Sequence, residues 1–336
     1  MATIKDVAKQ AGVSIATVSR VINLGEKVNA QTRAKVTAAM QELGYRPNAN
    51  ARALVTQKTA TIGVVIPELT DPFFASLASG VDEIAKEKRL QLLLSTGTGS
   101  EESELQALNV LIDRNCDAIV IHSKHIASDK LIALAKQHPG LVLIDRCVEA
   151  IQERCVWLDN LEGGKIAARH FLALGHKQFA CISSEYDIED PRLRLQGFQQ
   201  CLIENNIDSD NTPVTFAPPN QQGGEIAVQK LLTDGHQFTA LFVYNDAMAS
   251  GAISTLEDNG FRVPEDISVI GFDDVILASY TRPKLTTMHY PVNAMAKQAA
   301  HLALQLTETN AAPLKQKQES GKHLPRLVNR ASCVRR

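Results

Sequence analysis

The sequence predicts an α/β chain: a three-helix head, then two lobes that are each a doubly wound parallel sheet. Three observations carry this. Roughly the first 45 residues hold helix-period apolar positions and helix-capping residues. From residue 61 onward, short apolar runs rich in Val, Ile and Leu alternate with helix-period segments, the pattern of strand–helix–strand units. That alternation restarts after about residue 160, which implies two sheets rather than one.

Composition sets the outer limits. At 336 residues, two or three domains are expected. With 44% apolar and 21% charged residues the chain reads as an ordinary soluble one. No apolar run reaches about 18 residues, so no membrane span is expected. The opening MATIKDVAKQ has no apolar signal region, so a cytoplasmic protein is expected. Cys116, Cys147, Cys155, Cys181, Cys201 and Cys333 form no CxxC pair, which favours reduced thiols over a disulfide framework or a zinc site. The net charge of −2 is unevenly spread. Residues 1–60 hold nine Lys or Arg against Asp6, Glu26 and Glu42, a surplus of +6, so the rest of the chain carries −8. A basic head on an acidic body suits a polyanionic partner.

In the head, Thr3 caps a first helix with Asp6 as its reciprocal partner. That helix runs through Ile4, Val7, Ala8 and Ala11. Gly12 supplies a left-handed turn residue, Val13 plugs between helices, and Ser14 caps the second helix. A third helix starts near Ala30 and stops at Gly44. Two helices joined by a short glycine turn form a helix-turn-helix, whose second helix enters the DNA major groove. Val18, Val21 and Ile22 would anchor that helix, while Ile15, Ala16, Thr17 and Arg20 would point toward bases. Arginine grips a guanine edge with two hydrogen bonds, and small apolar groups meet a thymine methyl. Ser19 and Asn23 on the same face, with Thr3 and Ser14 at the helix starts, complete the candidate DNA contacts.

The body follows in order. TIGVVIP (61–67) is a buried strand, with a helix from Phe73 to about Glu87. LQLLLST, DAIVIH and LVLID are further strands, separated by helices from Glu102 and from Ser128. The second round has helices over 163–174, 190–205, 223–233 and 247–259, with strands FACISS, TALFVYN and ISVIGFDD. A helix over 292–307 and a strand near PRLVNR close the chain.

The stretches TIKDVAKQAGVS, ATVSRVIN and YRPNANARAL together resemble the lactose-repressor (LacI/GalR) family of bacterial regulators, and the likeness extends over almost the whole chain. The family implies a periplasmic-binding-protein-like core whose chain crosses between lobes three times, placed near 158, 288 and 317. The expected domains are the head at 1–46, a hinge helix and linker at 47–59, a first lobe at 60–158 with 289–316, and a second at 159–288 with 317–336. The resemblance makes Asn48 the cap of the hinge helix, Leu54 a wedge into the minor groove and Ala51 a neighbouring contact. Apolar wedges of this kind part base steps and bend DNA.

Ligands of open α/β sheets bind outside the carboxyl ends of strands. Asp71, Phe73, Phe74, Asp145, Arg194, Asn245 and Asp273 lie at or near such ends, and each matches a family effector position. Carboxylates, Asn and a forked Arg pair with adjacent sugar hydroxyls, and an aromatic ring covers the apolar ring face. Asp246 and Asp274 are read as caps. His122, His125 and Asp129 are read as a solvated loop rather than a metal site. STGTGSEE lacks the third glycine of a dinucleotide fingerprint. No Gly-x-Ser-x-Gly motif appears, and neither an enzyme nor a cofactor is expected.

The family likeness is strongest to its galactose-responsive branch, in RPNANARAL, DNGF.VP.DIS.IGFDD and YTRP.LTT..YP. It implies a homodimeric repressor released from operator DNA by a sugar, D-galactose. Asp145 departs from that branch, which carries Asn there, so a β-glucoside or related disaccharide is the alternative effector. A co-repressor that tightens DNA binding and a sugar-transport protein are the other readings. The missing signal region and the basic head oppose the last. LVNRASCVRR has no leucine heptads, so a coiled-coil tetramer is not expected.

Overall fold

The structure is a computed structural model that describes residues 2–22, 28–46, 58–308 and 321–336. Asn23, Asn48, Ala51, Leu54 and the expected hinge helix lie outside the described residues. Contacts divide the chain into two units, Met1–Ala60 and Thr61–Arg336.

The head contains helices α1 (Ile4–Ala11), α2 (Ile15–Ile22) and α3 (Ala30–Glu42). Thr3 and Asp6 form the reciprocal capping box of α1. Gly12 has a φ of 67° and closes the helix onto Ala8 and Lys9 carbonyls, a conformation that costs a side chain energy. Ser14 Oγ accepts from Thr17 N at 3.1 Å to start α2. Val7, Ala8, Val18, Val21, Val36 and Ala39 form a core of the head's own.

The body holds two six-stranded sheets. The strands are β1 (Thr61–Ile66), β2 (Gln91–Thr96), β3 (Ala118–His122), β4 (Leu141–Ile144), β5 (Cys155–Leu158), β6 (Phe179–Ser184), β7 (Val214–Ala217), β8 (Ala240–Val243), β9 (Ser268–Asp273), β10 (Thr286–His289), β11 (Lys322–His323) and β12 (Arg326–Val328). The first sheet has the order β11-β5-β4-β3-β1-β2, the second β12-β10-β9-β8-β6-β7. Among the described residues the strand pairings are parallel except at the antiparallel β10–β12 edge. In the first sheet Ile62, Val64 and Ile66 face the helices Pro72–Glu87 and Val292–Glu308, while Val65, Ile119 and Ile121 face the other side. Both faces are covered, as a parallel sheet requires. One apolar cluster runs on through the second lobe to Phe171, Phe198, Phe242 and Phe272.

The strand and helix list departs from the sequence reading in instructive places. Strands β5, β7, β10 and β11 are absent from the sequence reading. β10 reads TTMH, and its threonines are fully buried, because their hydroxyls are bonded: Thr287 Oγ1 donates to Asp246 Oδ1 at 2.6 Å and Thr286 Oγ1 accepts from Arg330 N at 2.9 Å. The helix expected at 163–174 begins earlier, at Asn160, because Asp159 caps it by accepting from Glu162 N. The third crossing is also corrected. Lys322-His323 pairs with Trp157-Leu158 of the first sheet, while Arg326–Val328 joins the second. The crossing therefore falls between His323 and Arg326, not near 317, and the first lobe's last segment extends beyond 316. A two-residue strand has too few residues to show any period.

One helix contact sets where Arg194 stands. Helices Asn160–Ala173 and Glu189–Glu204 cross at Gly164 and Gly197. A Cβ on Gly197 would stand 1.9 Å from the Leu161 carbonyl, and one on Gly164 would stand 2.0 Å from the Arg194 carbonyl. Gly197→Ala should therefore lower unfolding stability by ~1–3 kcal/mol, the usual cost of an overpacked contact, as measured by urea denaturation.

Candidate functional site

Both lobes end their strands at one cleft, a cavity of about 240 Å³. Its lining includes Asp71, Phe73 and Phe74 after β1, His122 and Lys124 at β3, Asp145 after β4, and Arg194, Asn245 and Asp273 from the second lobe. All seven residues expected from the sequence line it.

Their roles differ. Asp71 caps its helix through Phe73 N at 2.8 Å, and burial raises its carboxyl. Phe73 is buried, edge-on to Phe74 and to Tyr290. Phe74 is half-buried and edge-on to His122. Asn245 is committed to the backbone: its Oδ1 accepts from Met248 N at 2.9 Å and its Nδ2 donates to the Pro219 carbonyl at 3.0 Å.

Arg194 is the most constrained cation. Its Nε donates to Asn160 Oδ1 at 2.9 Å and its Nη1 to the Tyr244 carbonyl at 2.7 Å. The guanidinium carbon lies 3.6 Å from the Phe272 ring centroid and 4.7 Å from that of Tyr244, a desolvated cation–π arrangement. Asp273 stands 3.5 Å from Nη1. Among the described residues, Nη2 has no hydrogen-bond partner. Asp273 sits at a φ of 103°, a strained backbone of the kind found at ligand sites.

Asp145 is the acid of a second cluster. His122 Nε2 lies 3.0 Å and Lys124 Nζ 2.8 Å from Oδ2, and the Tyr290 hydroxyl donates to Oδ1. Burial alone would raise this carboxyl, but the Lys124 ammonium and His122 outweigh it and hold it below the ordinary carboxylate range. Lys124 Nζ also bonds Asp190 of the other lobe, at 2.8 Å to Oδ1 and 2.7 Å to Oδ2. Burial and the nearby Asp145 charge raise the Asp190 carboxyl. Behind them, buried Glu104 accepts from the backbone N–H groups of Lys124, His125 and Ile126 and from Ser123 Oγ, which pins the loop that carries Lys124.

Several sequence readings change. His122 is buried against Asp145, and His125 Nδ1 meets Glu104 at 2.9 Å, so the loop is part of the cleft wall. His122 Nδ1 is buried without a partner among the described residues. Among those residues no group of His, Cys, Asp or Glu is placed to hold a metal, and all six cysteines are free thiols. Asp246 is not a cap: fully buried, it accepts from Thr287 Oγ1 and from Val275 N. Asp274 instead pairs with His289 and Arg330. Sequence reasoning missed Lys124, Asp190, Asn160, Tyr244, Tyr290 and Glu104. The strand-end rule that flagged Asp145 applies equally to the HSKH that ends β3 and would have reached Lys124.

In the head, Ile15, Ala16 and Arg20 are exposed on α2, with Thr17 and Ser19 half-buried and Val18 and Val21 turned inward. Among the described residues no helix is long and apolar enough to cross a membrane.

Comparison with known proteins places these features together. Residues 3–48 match the model of bacterial regulatory proteins, lacI family, and residues 168–333 match a periplasmic binding protein-like domain. The chain is 46% identical to the HTH-type transcriptional regulator GalR of Escherichia coli (strain K12), over 93% of this chain and 91% of that protein. It is 45% identical to the regulator GalS of Salmonella typhimurium (strain LT2), over 91% and 90%. The crystal structure of the lac repressor dimer bound to operator and the anti-inducer ONPF superposes with a TM-score of 0.88 at 28% identity, covering 99% of each chain.

Asp273 supplies a pH test. Burial pushes its carboxyl up to about 7, against the opposing pull of Arg194. A carboxyl raised on folding binds its proton more tightly in the native state, so its contribution to stability falls as pH rises from its ordinary value of 3.8 to about 7. Asp273→Asn should remove that fall, which urea denaturation at a series of pH values will show as a flatter profile over this window.

Proposed function

The chain belongs to the lacI family of bacterial regulatory proteins, and on that premise we propose that it is a sequence-specific, DNA-binding transcriptional repressor released from its operator by D-galactose. One observation carries the reading: a single chain joins a basic helix-turn-helix head to a sugar-sized polar cleft between two lobes. It acts as a homodimer, with two heads on a pseudo-palindromic operator, in the cytoplasm with its DNA. No reaction is assigned to the cleft.

The chemistry of the cleft supports a neutral sugar. Asp71, Asp145, Asp190, Asp273 and Glu104 line it with Lys124 and Arg194. Both cations are already paired with these acids, which leaves no unpaired Lys or Arg among the described residues of the lining to attract a sugar acid or phosphosugar. Asp71 and Asp273 offer acceptors, Arg194 Nη2 a free donor, and Phe74 an apolar face. A volume of about 240 Å³ is at the small end for ligand pockets, which favours a monosaccharide over a disaccharide. Asp145 does not argue against galactose. Its oxygens are taken up by His122, Lys124 and Tyr290, so it supports the cleft wall instead of discriminating between hydroxyls.

In the proposed switch, sugar binds the closed lobes better than the open ones. That differential affinity is what shifts the equilibrium. Closure disfavours the hinge helices and alters the half-site spacing of the two heads. The direct experiment is to select operator DNA from a random pool with the purified full chain, then titrate a panel of sugars against the complex. D-Galactose should release it. Release by a β-glucoside alone would overturn the galactose assignment, and tighter binding with sugar would make the ligand a co-repressor.

Two substitutions separate the functions. Arg20→Ala should weaken operator binding by ~1–3 kcal/mol, the worth of a bidentate base contact, with galactose affinity unchanged by calorimetry. Arg194→Ala should leave operator binding intact but lower galactose affinity roughly ten- to a hundredfold, since a hydrogen bond to a charged group contributes ~1.5–3 kcal/mol. Operator affinity with and without saturating galactose reads this as persistent repression.

A further inference from the structure

We propose that Lys124 is the positioning residue that closes the cleft: its ammonium, fixed to Asp145 within one lobe, reaches across to Asp190 and draws the lobes together before any sugar binds. The ammonium has three N–H donors, and the protein supplies three acceptor groups. They are the Asp145 carbonyl, Asp145 Oδ2 at 2.8 Å and the Asp190 carboxylate at 2.7–2.8 Å. Both side chains of the cross-lobe pair are nearly inaccessible, at 8% and 7%.

The two halves of this contact behave differently when the lobes part. Lys124 and Asp145 follow neighbouring strands β3 and β4 of one sheet, in register at His122 and Ile144. Glu104 also fixes the backbone from Lys124 to Ile126 through three N–H groups, so the Lys124–Asp145 contact belongs to the lobe and survives opening. Asp190 belongs to the other body. It is the second residue of helix Glu189–Glu204, which Gly164 and Gly197 seat on its neighbour in the second lobe. Among the described residues its carboxylate has no other hydrogen-bond partner. Opening must therefore pull Asp190 away from Lys124 and let water replace the pair. Burial costs both charges their water, but the attraction strengthens as water leaves. The ammonium has an acceptor for each of its three donors, the geometry in which a buried pair outweighs that cost. This contact therefore favours the closed arrangement in the absence of ligand. Lys124 adds no donor to the sugar, because its own are used. Its role is to lower the amount of sugar needed for closure, as a pre-organised site does.

The effect on DNA rests on the sugar-released repressor reading above; the effect on shape does not. The test uses the full chain carrying Asp190→Asn, Lys124→Met, or both, with Lys124→Arg as the conservative control. Small-angle scattering without sugar should show both single variants expanded to the same degree and the Arg variant compact. Calorimetry should show galactose affinity lowered about tenfold in each single variant, a usual size for a conformational coupling. The double variant should lose no more than Lys124→Met alone, because the cross-lobe contact is already broken there. Operator affinity without sugar should rise a few-fold in the variants, a modest shift of the same equilibrium. Losses that multiply in the double variant would make the two residues independent ligand contacts and overturn the proposal, as would unchanged scattering and affinity. Asp190→Asn keeps the side-chain shape, so it decides the matter if Lys124→Met does not fold. If the unaltered chain binds no sugar, the effector assignment fails, and the scattering comparison still decides the role of Lys124.

Discussion

Buried charge is the constraint on which this molecule turns. Asp71, Asp145, Asp190 and Asp273 meet around one cleft, and Lys124 and Arg194 are the cations set among them. A carboxylate removed from water is costly unless it is paired and hydrogen-bonded. Partners must therefore lie within hydrogen-bond or close ion-pair reach, from 2.7 Å at Lys124–Asp190 to 3.5 Å at Arg194–Asp273, and no single stretch of chain can supply them all. The two sheets meet the demand by turning the carboxyl ends of their strands toward one space. Gly164 and Gly197 then let two helices touch backbone to backbone, so that Arg194 reaches Asn160 and the Phe272 ring.

The same arrangement explains why such a cleft can act as a switch. Asp145 and Lys124 come from one lobe, Asp190, Arg194 and Asp273 from the other, and Tyr290 from the segment where the chain crosses back. A ligand that satisfies groups from both sides gains its contacts only when the lobes are together. The head, by contrast, closes its own core around Val7, Val18 and Val36. Its helix-turn-helix is therefore held together by contacts within the head.

Asp145 shows how a residue type can mislead when its surroundings are unknown. Read as one letter in LVLID, an acid at a position where the family resemblance implies an amide suggests a changed sugar preference. In the fold its oxygens meet a lysine, a histidine and a tyrosine, and the acid serves the wall of the cleft. Asn245 is a parallel case, since its amide caps a helix and holds the Pro219 carbonyl. Arg194 goes the other way. The structure leaves its Nη2 available, and the fork keeps the donor that its sequence context suggested.

The sequence by itself determined the head, the alternation of strands and helices, and the strand ends where a ligand site belongs. Those features are local: capping pairs such as Thr3 and Asp6, a turn glycine at Gly12, apolar periods in TIGVVIP and DAIVIH. Short or polar strands escaped it, because Thr286 and Thr287 are buried only through bonds to Arg330 and Asp246, and Lys322-His323 is too brief to show a period. The tertiary structure alone decided which charges meet. Lys124 and Asp190 are 66 residues apart and Tyr290 and Asp145 are 145 apart, and no periodicity encodes a contact at that separation. It is fixed by strand order and by how closely helices pack, and both are properties of the folded chain.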